Sequence, residues 1–288
     1  MKYILILAGL HLIALLCFYI YRECTRIEVT EYSFTSRLLK KEVFRIVFLS
    51  DLHETVHGKD NEEVIARIDG LKPDIVVFAG DMITASDRHP LNYDATLSFV
   101  RRIAEKYPLY YGIGNHEEKL KREPYRQMEN WNYYTKKLSE FGVRILQNEK
   151  VCIEEAGIAV YGLDLDYKYY RKIMDFPIPD GYLKERLGDV DPHRYSILLA
   201  HLPDQLPAYA KWGPDLVLSG HVHGGVIGVP FLGGLVSPQL KLFPKFDSGL
   251  FEEGKTKMIL SRGIGTHTIP LRINNSAEIV SIILKREE

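Results

Sequence analysis

Residues 215–225 read DLVLSGHVHGG, a short apolar run that closes on Gly220 and then places His221 and His223 ahead of two more glycines. In an extended chain, residues i and i+2 point to the same side, so both imidazoles are able to face one point in space. A His-x-His pair is also at home as a solvated strand end, and only a set of further ligands turns it into a metal site. Those ligands have to come from elsewhere in the chain.

Four other stretches share the same grammar. FRIVFLS leads to Asp51, DIVVFAG to Asp81, LYYGIG to Asn115 and YSILLA to His201. Each is a run rich in β-branched or aromatic residues that stops at a small residue or directly at a polar one, the pattern of a buried strand. Helical patterns over 60–70, 91–106 and 124–141 lie between them. Strands alternating with helices predict an α/β layered domain whose site gathers beyond the carboxyl ends of the strands. The near repeat of KPDIVVFAGD in GPDLVLSGH marks two strands in equivalent positions, and no fixed period continues from it.

With 288 residues and ordinary apolar and charged fractions, the chain is long enough for one sizeable globular domain. A formal net charge of −1 gives no drive toward nucleic acid, and the locally basic run over 117–126 reads as a solvated helix start. Cys17, Cys24 and Cys152 build neither a disulfide framework nor a thiolate metal site.

Residues 3–20, YILILAGLHLIALLCFYI, are apolar for a length that spans a bilayer. The expected organisation is an uncleaved signal anchor over 1–22, a linker over 23–42 in which RIEVTEYSF alternates like an edge strand, and a main domain over 43–288. A cleaved signal peptide is the alternative for the first segment. Arg22, Arg26, Arg37, Lys40 and Lys41 follow the span and only Lys2 precedes it, which favours a single-pass cell-membrane protein with a cytoplasmic body.

The polar groups at the strand ends sort by geometry. Asp51 and His53 repeat the i, i+2 relation of His221 and His223; Asp81, Asn115 and His201 complete a set too large for one tetrahedral zinc, and a carboxylate at Asp81 has two oxygens with which to bridge two ions. In extended backbone His116 projects away from Asn115, which places it to act beside the ions.

Taken in order, DLH, GD, GNHE, the lone His201 and GHVH resemble the five signature blocks of the calcineurin-like metallophosphoesterase superfamily, over residues 43–284. The stretch GHVHGGVIGVPFLGGLVSPQLKLFPKFDSGLF, with SRGIGTHTIPLRINNSAEIV after it, further resembles a bacterial branch that carries a signal anchor. This resemblance implies a four-layer αββα sandwich with a binuclear centre. One ion would be held by Asp51, His53, Asp81 and His223, the other by Asp81, Asn115, His201 and His221, with manganese, iron and zinc all compatible. It implies hydrolysis of a phosphoester or pyrophosphate by water activated at the ions, with His116 as proton donor. Two divalent ions against two carboxylates leave a charge of about +2, suited to an anionic substrate.

Two departures matter. Many relatives carry a second acid where GDMIT has Thr84, so the group that orients His116 is open, with Glu117 its neighbour in sequence. Glu54 and His57 in DLHETVHGKDN are candidates for groups behind the ligands or for substrate contacts. The connection over 224–249 is dense in Gly and Pro yet carries Phe231, Leu232, Leu235, Leu240, Leu242, Phe243 and Phe246. It reads as an apolar flap that points to a lipid-linked substrate, or as a small satellite core. Tyr133 with Tyr134, and Tyr169 with Tyr170, read as packing. A phosphodiesterase for soluble nucleotides and a non-catalytic scaffold are the competing functions.

Overall fold

In this computed structural model the described residues are 2–85, 93–122, 127–171, 176–225, 228–229, 233–235, 242–266 and 272–288. One six-stranded sheet runs β1 (Ile27–Ser36), β14 (Ala277–Arg286), β2 (Val43–Leu49), β3 (Ile75–Phe78), β4 (Leu109–Gly112) and β5 (Arg144–Leu146) in spatial order. The other runs β12 (Gly249–Glu253), β13 (Thr256–Leu260), β9 (Leu216–Ser219), β8 (Tyr195–Leu199), β7 (Ile158–Gly162) and β6 (Glu149–Ile153). β2 to β5 are parallel, as are β7, β8, β9 and β13. A two-stranded ribbon, β10 (Gly228–Val229) with β11 (Gly233–Gly234), follows the second histidine pair.

Period-two burial explains why the sheets stack. Phe44, Ile46, Phe48, Ile75 and Val77 face one way, and Val47, Leu49, Val76 and Phe78 the other, all of them buried. Strands apolar on both sides must be covered twice. The first set meets Ile158, Val160, Ile197, Leu199, Leu216 and Leu218 in a core between the sheets. The second packs beneath α2 (Glu62–Leu71), α3 (Asp94–Ala104) and α5 (Met128–Glu140), through residues such as Ile68, Phe99, Val100, Tyr134 and Leu138. On the far side, α6 (Tyr182–Leu187) and α7 (Leu206–Trp212) cover Tyr161, Leu198 and Val217. The result is the expected αββα order of layers.

Three expectations need adjustment. The predicted helices begin two to four residues late because their first residues are turns or, at 91–92 and 124–126, lie outside the described residues. The N-terminal helix α1 (Lys2–Thr25) runs past residue 22, and Arg26 alone separates it from β1, which pairs in parallel with β14 along all of its length. α1 has the length and composition of a membrane span, and its apolar window buries nothing against the rest of the chain. In the flap, Phe231, Leu232 and Leu240 lie outside the described residues; Phe246 is buried in the outer core of the second sheet, whereas Leu242 and Phe243 are exposed.

Candidate metal centre

The carboxyl ends of β2, β3, β4, β8 and β9 converge, and backbone hydrogen bonds continue past them. Asp51 N–H donates to Gly80 O (3.0 Å), His53 N–H to Asp81 O (3.1 Å) and Gly220 N–H to His201 O (3.1 Å). Close approach at this edge depends on glycine. A Cβ on Gly114 would strike the backbone and carboxylate of Asp81, and one on Gly80 would strike the backbone of Gly114.

The extended geometry expected for DLH and HVH is not what forms. Asp51, His53, Asp81, His221 and His223 have φ of 56°, 46°, 53°, 74° and 52°, all left-handed. For a residue with a Cβ this costs about 1–2 kcal/mol each. Five such residues at one edge mark strain held for the sake of side-chain direction. The consequence is that the HVH pair separates. His223 joins Asp51 and His53, and His221 joins Asp81 and His201, while a third group of potential ligand atoms comprises His53, Asp81 and His116. Asp81 and His53 each belong to two groups, so the clusters share walls.

Distances within them are short. His53 Nε2 lies 3.1 Å from His223 Nε2, and His223 Nε2 lies 3.4 Å from Asp51 Oδ1. His201 Nε2 is 3.1 Å from Asp81 Oδ2 and 3.7 Å from Asp51 Oδ1. His201 Nδ1 sits 2.7 Å from Ala79 O, which fixes its proton on that nitrogen and turns the Nε2 lone pair on a carboxylate oxygen. Two lone pairs at that distance require a cation between them, a proton or a metal. The same test applies at Asn115. The end of its amide lying 3.2 Å from Asp81 Oδ2 and 2.7 Å from His221 Nδ1 is either the nitrogen, donating to both, or the oxygen, which then adds a third lone pair to one point. Imidazole, carboxylate and amide oxygen are ligands suited to manganese, iron or zinc, and the donor set fits such ions.

Without an ion, protons carry the compensation. Burial works against charge on His201, but Asp81 and Asp51 outweigh it and lift the imidazole to about 9. Burial likewise raises Asp51, to about 6, while burial of Asp81 is overcome chiefly by His201, which holds it well below the usual range. His201 thus keeps a second proton at neutral pH, the one that a divalent cation on Nε2 would displace.

Around the clusters, Ser50 Oγ donates to Asp51 Oδ2 (2.6 Å) and His221 N–H to both Asp51 oxygens (3.0 and 3.1 Å). Glu117, expected near His116 on a solvated helix start, is fully buried in α4 (Asn115–Leu120). Its carboxylate accepts the N–H groups of Asp81 (2.9 Å), Met82 (3.0 Å) and Gly114 (3.0 Å) and the hydroxyl of Tyr111 (2.6 Å). Burial and the charge of Asp81 raise it to about 7. Glu117 therefore ties the Asp81 loop to the start of α4 and does not contact the His116 ring.

His116 is the second residue of α4 and not extended, because Gly114 caps a helix there. Its Nδ1 accepts the N–H of Ala85 at 2.9 Å, and its ring stands edge-on to His53 at 4.9 Å. The Ala85 backbone amide thus helps to orient it. Thr84 Oγ1 lies 3.2 Å from His53 Nδ1 instead. Glu54 accepts from Thr84 N–H (3.3 Å), and His57 Nε2 lies 2.7 Å from Ile264 O, so neither enters the ligand groups among the described residues. Sequence reasoning did not single out Asn275, whose Nδ2 donates to His223 O (2.6 Å); Tyr170, expected as packing, does pack, its ring centroid 5.3 Å from that of His221. Nothing in local spacing announces the Asn275 contact, which spans 52 residues of sequence.

An uncharacterised metallophosphoesterase of Bacillus subtilis, YkuE, is 29% identical over 274 residues, covering 92% of this chain and 88% of its own. A transmembrane protein with a metallophosphoesterase domain from Danio rerio is 27% identical over 260 residues, covering 84% of this chain and 53% of its own, so the chain spans about half of that relative. Among solved structures, a phosphopantetheinyl hydrolase from Mycobacterium tuberculosis superposes with a TM-score of 0.43 at 11% identity, over 80% of this chain and 95% of that one. The profile of the calcineurin-like phosphoesterases matches residues 44–225, more than half of the sequence and every strand end that carries a cluster residue, and the chain belongs to that family.

Proposed function

We propose that this phosphoester hydrolase holds two divalent ions, manganese, iron or zinc, one among Asp51, His53, Asp81 and His223 and the other among Asp81, Asn115, His201 and His221. The observation that carries this reading is the convergence of lone pairs, His201 Nε2 on Asp81 Oδ2 at 3.1 Å and the Asn115 amide on Asp81 and His221, with Asp81 and His221 themselves held in left-handed backbone. When bound, such ions supply positive charge for the phosphoryl oxygens and activate water near neutral pH.

The chain's own groups do the rest. With Ala85 N–H donating to Nδ1, the neutral ring of His116 carries its proton on Nε2. The imidazolium would forfeit the Ala85 bond, so Nε2–H acts by a hydrogen bond that strengthens as charge grows on the leaving oxygen. Asp81 Oδ1 accepts the His116 N–H at 2.8 Å, which keeps the ring registered to the clusters.

The substrate is inferred to be a phosphoester or pyrophosphate with a lipid part, reached by a single-pass protein whose body is cytoplasmic. The apolar α1 and the exposed Leu242 and Phe243 support that choice over a soluble nucleotide. A hydrolysis panel of nitrophenyl mono- and diesters, nucleotides and lipid phosphates, run with each metal, tests it. Preferred turnover of the lipid phosphates is expected; preferred turnover of nucleotides would favour a soluble phosphodiester, and no turnover with two ions bound would favour a scaffold.

A further inference from the structure

The end of α1 is fastened to the body at a definite height. Tyr19 hydroxyl donates to Asn274 Oδ1, and Asn274 N–H returns to the Tyr19 oxygen at 3.3 Å. One turn on, the buried carboxylate of Glu23 accepts Asn275 N–H (3.1 Å) and Ser276 Oγ–H (3.3 Å). Tyr19 lies six residues before Thr25, about 9 Å along the helix axis, and it is the last residue but one of the apolar run over 3–20. That run is about 27 Å long, close to the ~30 Å of a hydrocarbon core. If it fills the core, the turn around Asn274 lies among the lipid headgroups.

The flap is tied to the same turn. Gly228 N–H donates to Ile273 O (2.8 Å), and Asn274 Nδ2 donates to Gly228 O (3.1 Å). β10 pairs with β11, and Phe243 N–H donates to Leu235 O (2.9 Å), so the segment at 242–243 is held close to that base. Leu242 is 69% and Phe243 53% exposed, with exposed Lys245 two residues on. Single exposed apolar residues mean little, but two adjacent ones beside a lysine have the composition of an interfacial contact.

We propose that this flap rests on the bilayer surface, with Leu242 and Phe243 immersed at the boundary between headgroups and acyl chains, so that the metal centre opens at a fixed height over the lipid. The proposal rests on the reading of α1 as a membrane span. Its geometry continues to the site itself, because Asn275 also donates to His223 O at 2.6 Å. The anchor, the flap and one ligand cluster thus meet at one turn, and the bilayer is the surface that this arrangement presents them to.

The test uses the full-length protein in nanodiscs containing lipids brominated either near the headgroup or deep in the acyl chain. Three proteins are compared: the parent, Phe243→Trp and Leu10→Trp; Leu242→Trp stands in if the first variant misfolds. Signals are read as differences from the parent, which has Trp131 and Trp212. The expected result is blue-shifted emission from position 243 with loss of intensity on shallow bromines, and loss at position 10 on deep ones. Loss at position 10 with water-like, unquenched emission at 243 would overturn the flap contact and leave the anchor standing. No loss at either position would overturn the anchor and the flap contact with it.

Discussion

Glu117→Gln preserves shape and removes acceptor capacity, which makes it a clean perturbation of the Asp81 loop. The native carboxylate takes four donors, Asp81 and Gly114 N–H on Oε2, and Met82 N–H and Tyr111 O–H on Oε1. Glutamine keeps one oxygen. Its best placement leaves that oxygen on Asp81 and Gly114 and turns the amide nitrogen toward Tyr111, whose hydroxyl can accept. Met82 N–H then faces a donor. One orphaned buried amide costs about 1–3 kcal/mol, and with a Tm change of about 2–4 °C per kcal/mol for a large domain the melting temperature falls by roughly 2–12 °C. Loosening the loop that carries Asp81 should also weaken metal binding by about 10–100-fold, the usual effect of removing a group that orients a ligand. Differential scanning fluorimetry of the metal-free protein and titration with manganese measure the two effects. A variant with wild-type melting temperature and wild-type affinity would refute the view that Glu117 holds this loop.

Asp81→Asn should abolish activity and lower metal content, because one carboxylate is assigned to both ions; retention of two ions by mass-spectrometric metal analysis with full turnover would contradict it. His116→Ala should lose about 10²- to 10⁴-fold in turnover on an alkyl phosphoester and much less on a nitrophenyl ester, with metal content unchanged, since charge builds most on a poor leaving oxygen, where the Nε2–H bond counts most. Asn275→Ala removes the bond to His223 O and should reduce metal affinity by about 10-fold or more while His116-dependent leaving-group discrimination stays as in the wild type. Removing residues 1–22 should yield a soluble protein that hydrolyses a small chromogenic ester, because no cluster residue precedes Asp51; an unfolded product would make α1 part of the core.

The layers were legible because β2, β3, β8 and β9 are apolar on both faces, and only a sheet covered twice explains such runs. The candidate ligands were legible because each apolar strand ends abruptly in one or two polar residues. What sequence spacing did not convey was direction. An i, i+2 rule assumes extended backbone, and five of the seven proposed ligands are left-handed, so His221 and His223 part company. Helix starts misled in a similar way: Glu117 and His116 lie in a polar run, yet the first turn of α4 points one carboxylate wholly inward. Asn275 and Ala85 act through long-range contacts, with a carbonyl and a ring far away in sequence, and no local pattern encodes those.

The central claim is that Asp81 is shared by two ions. Crystals grown with manganese and measured for anomalous scattering test it directly. The account predicts two peaks about 3.5–4 Å apart, one among Asp51, His53 and His223 and one among Asn115, His201 and His221, with Asp81 between them. A single peak, or a second peak away from Asn115, His201 and His221, would contradict it.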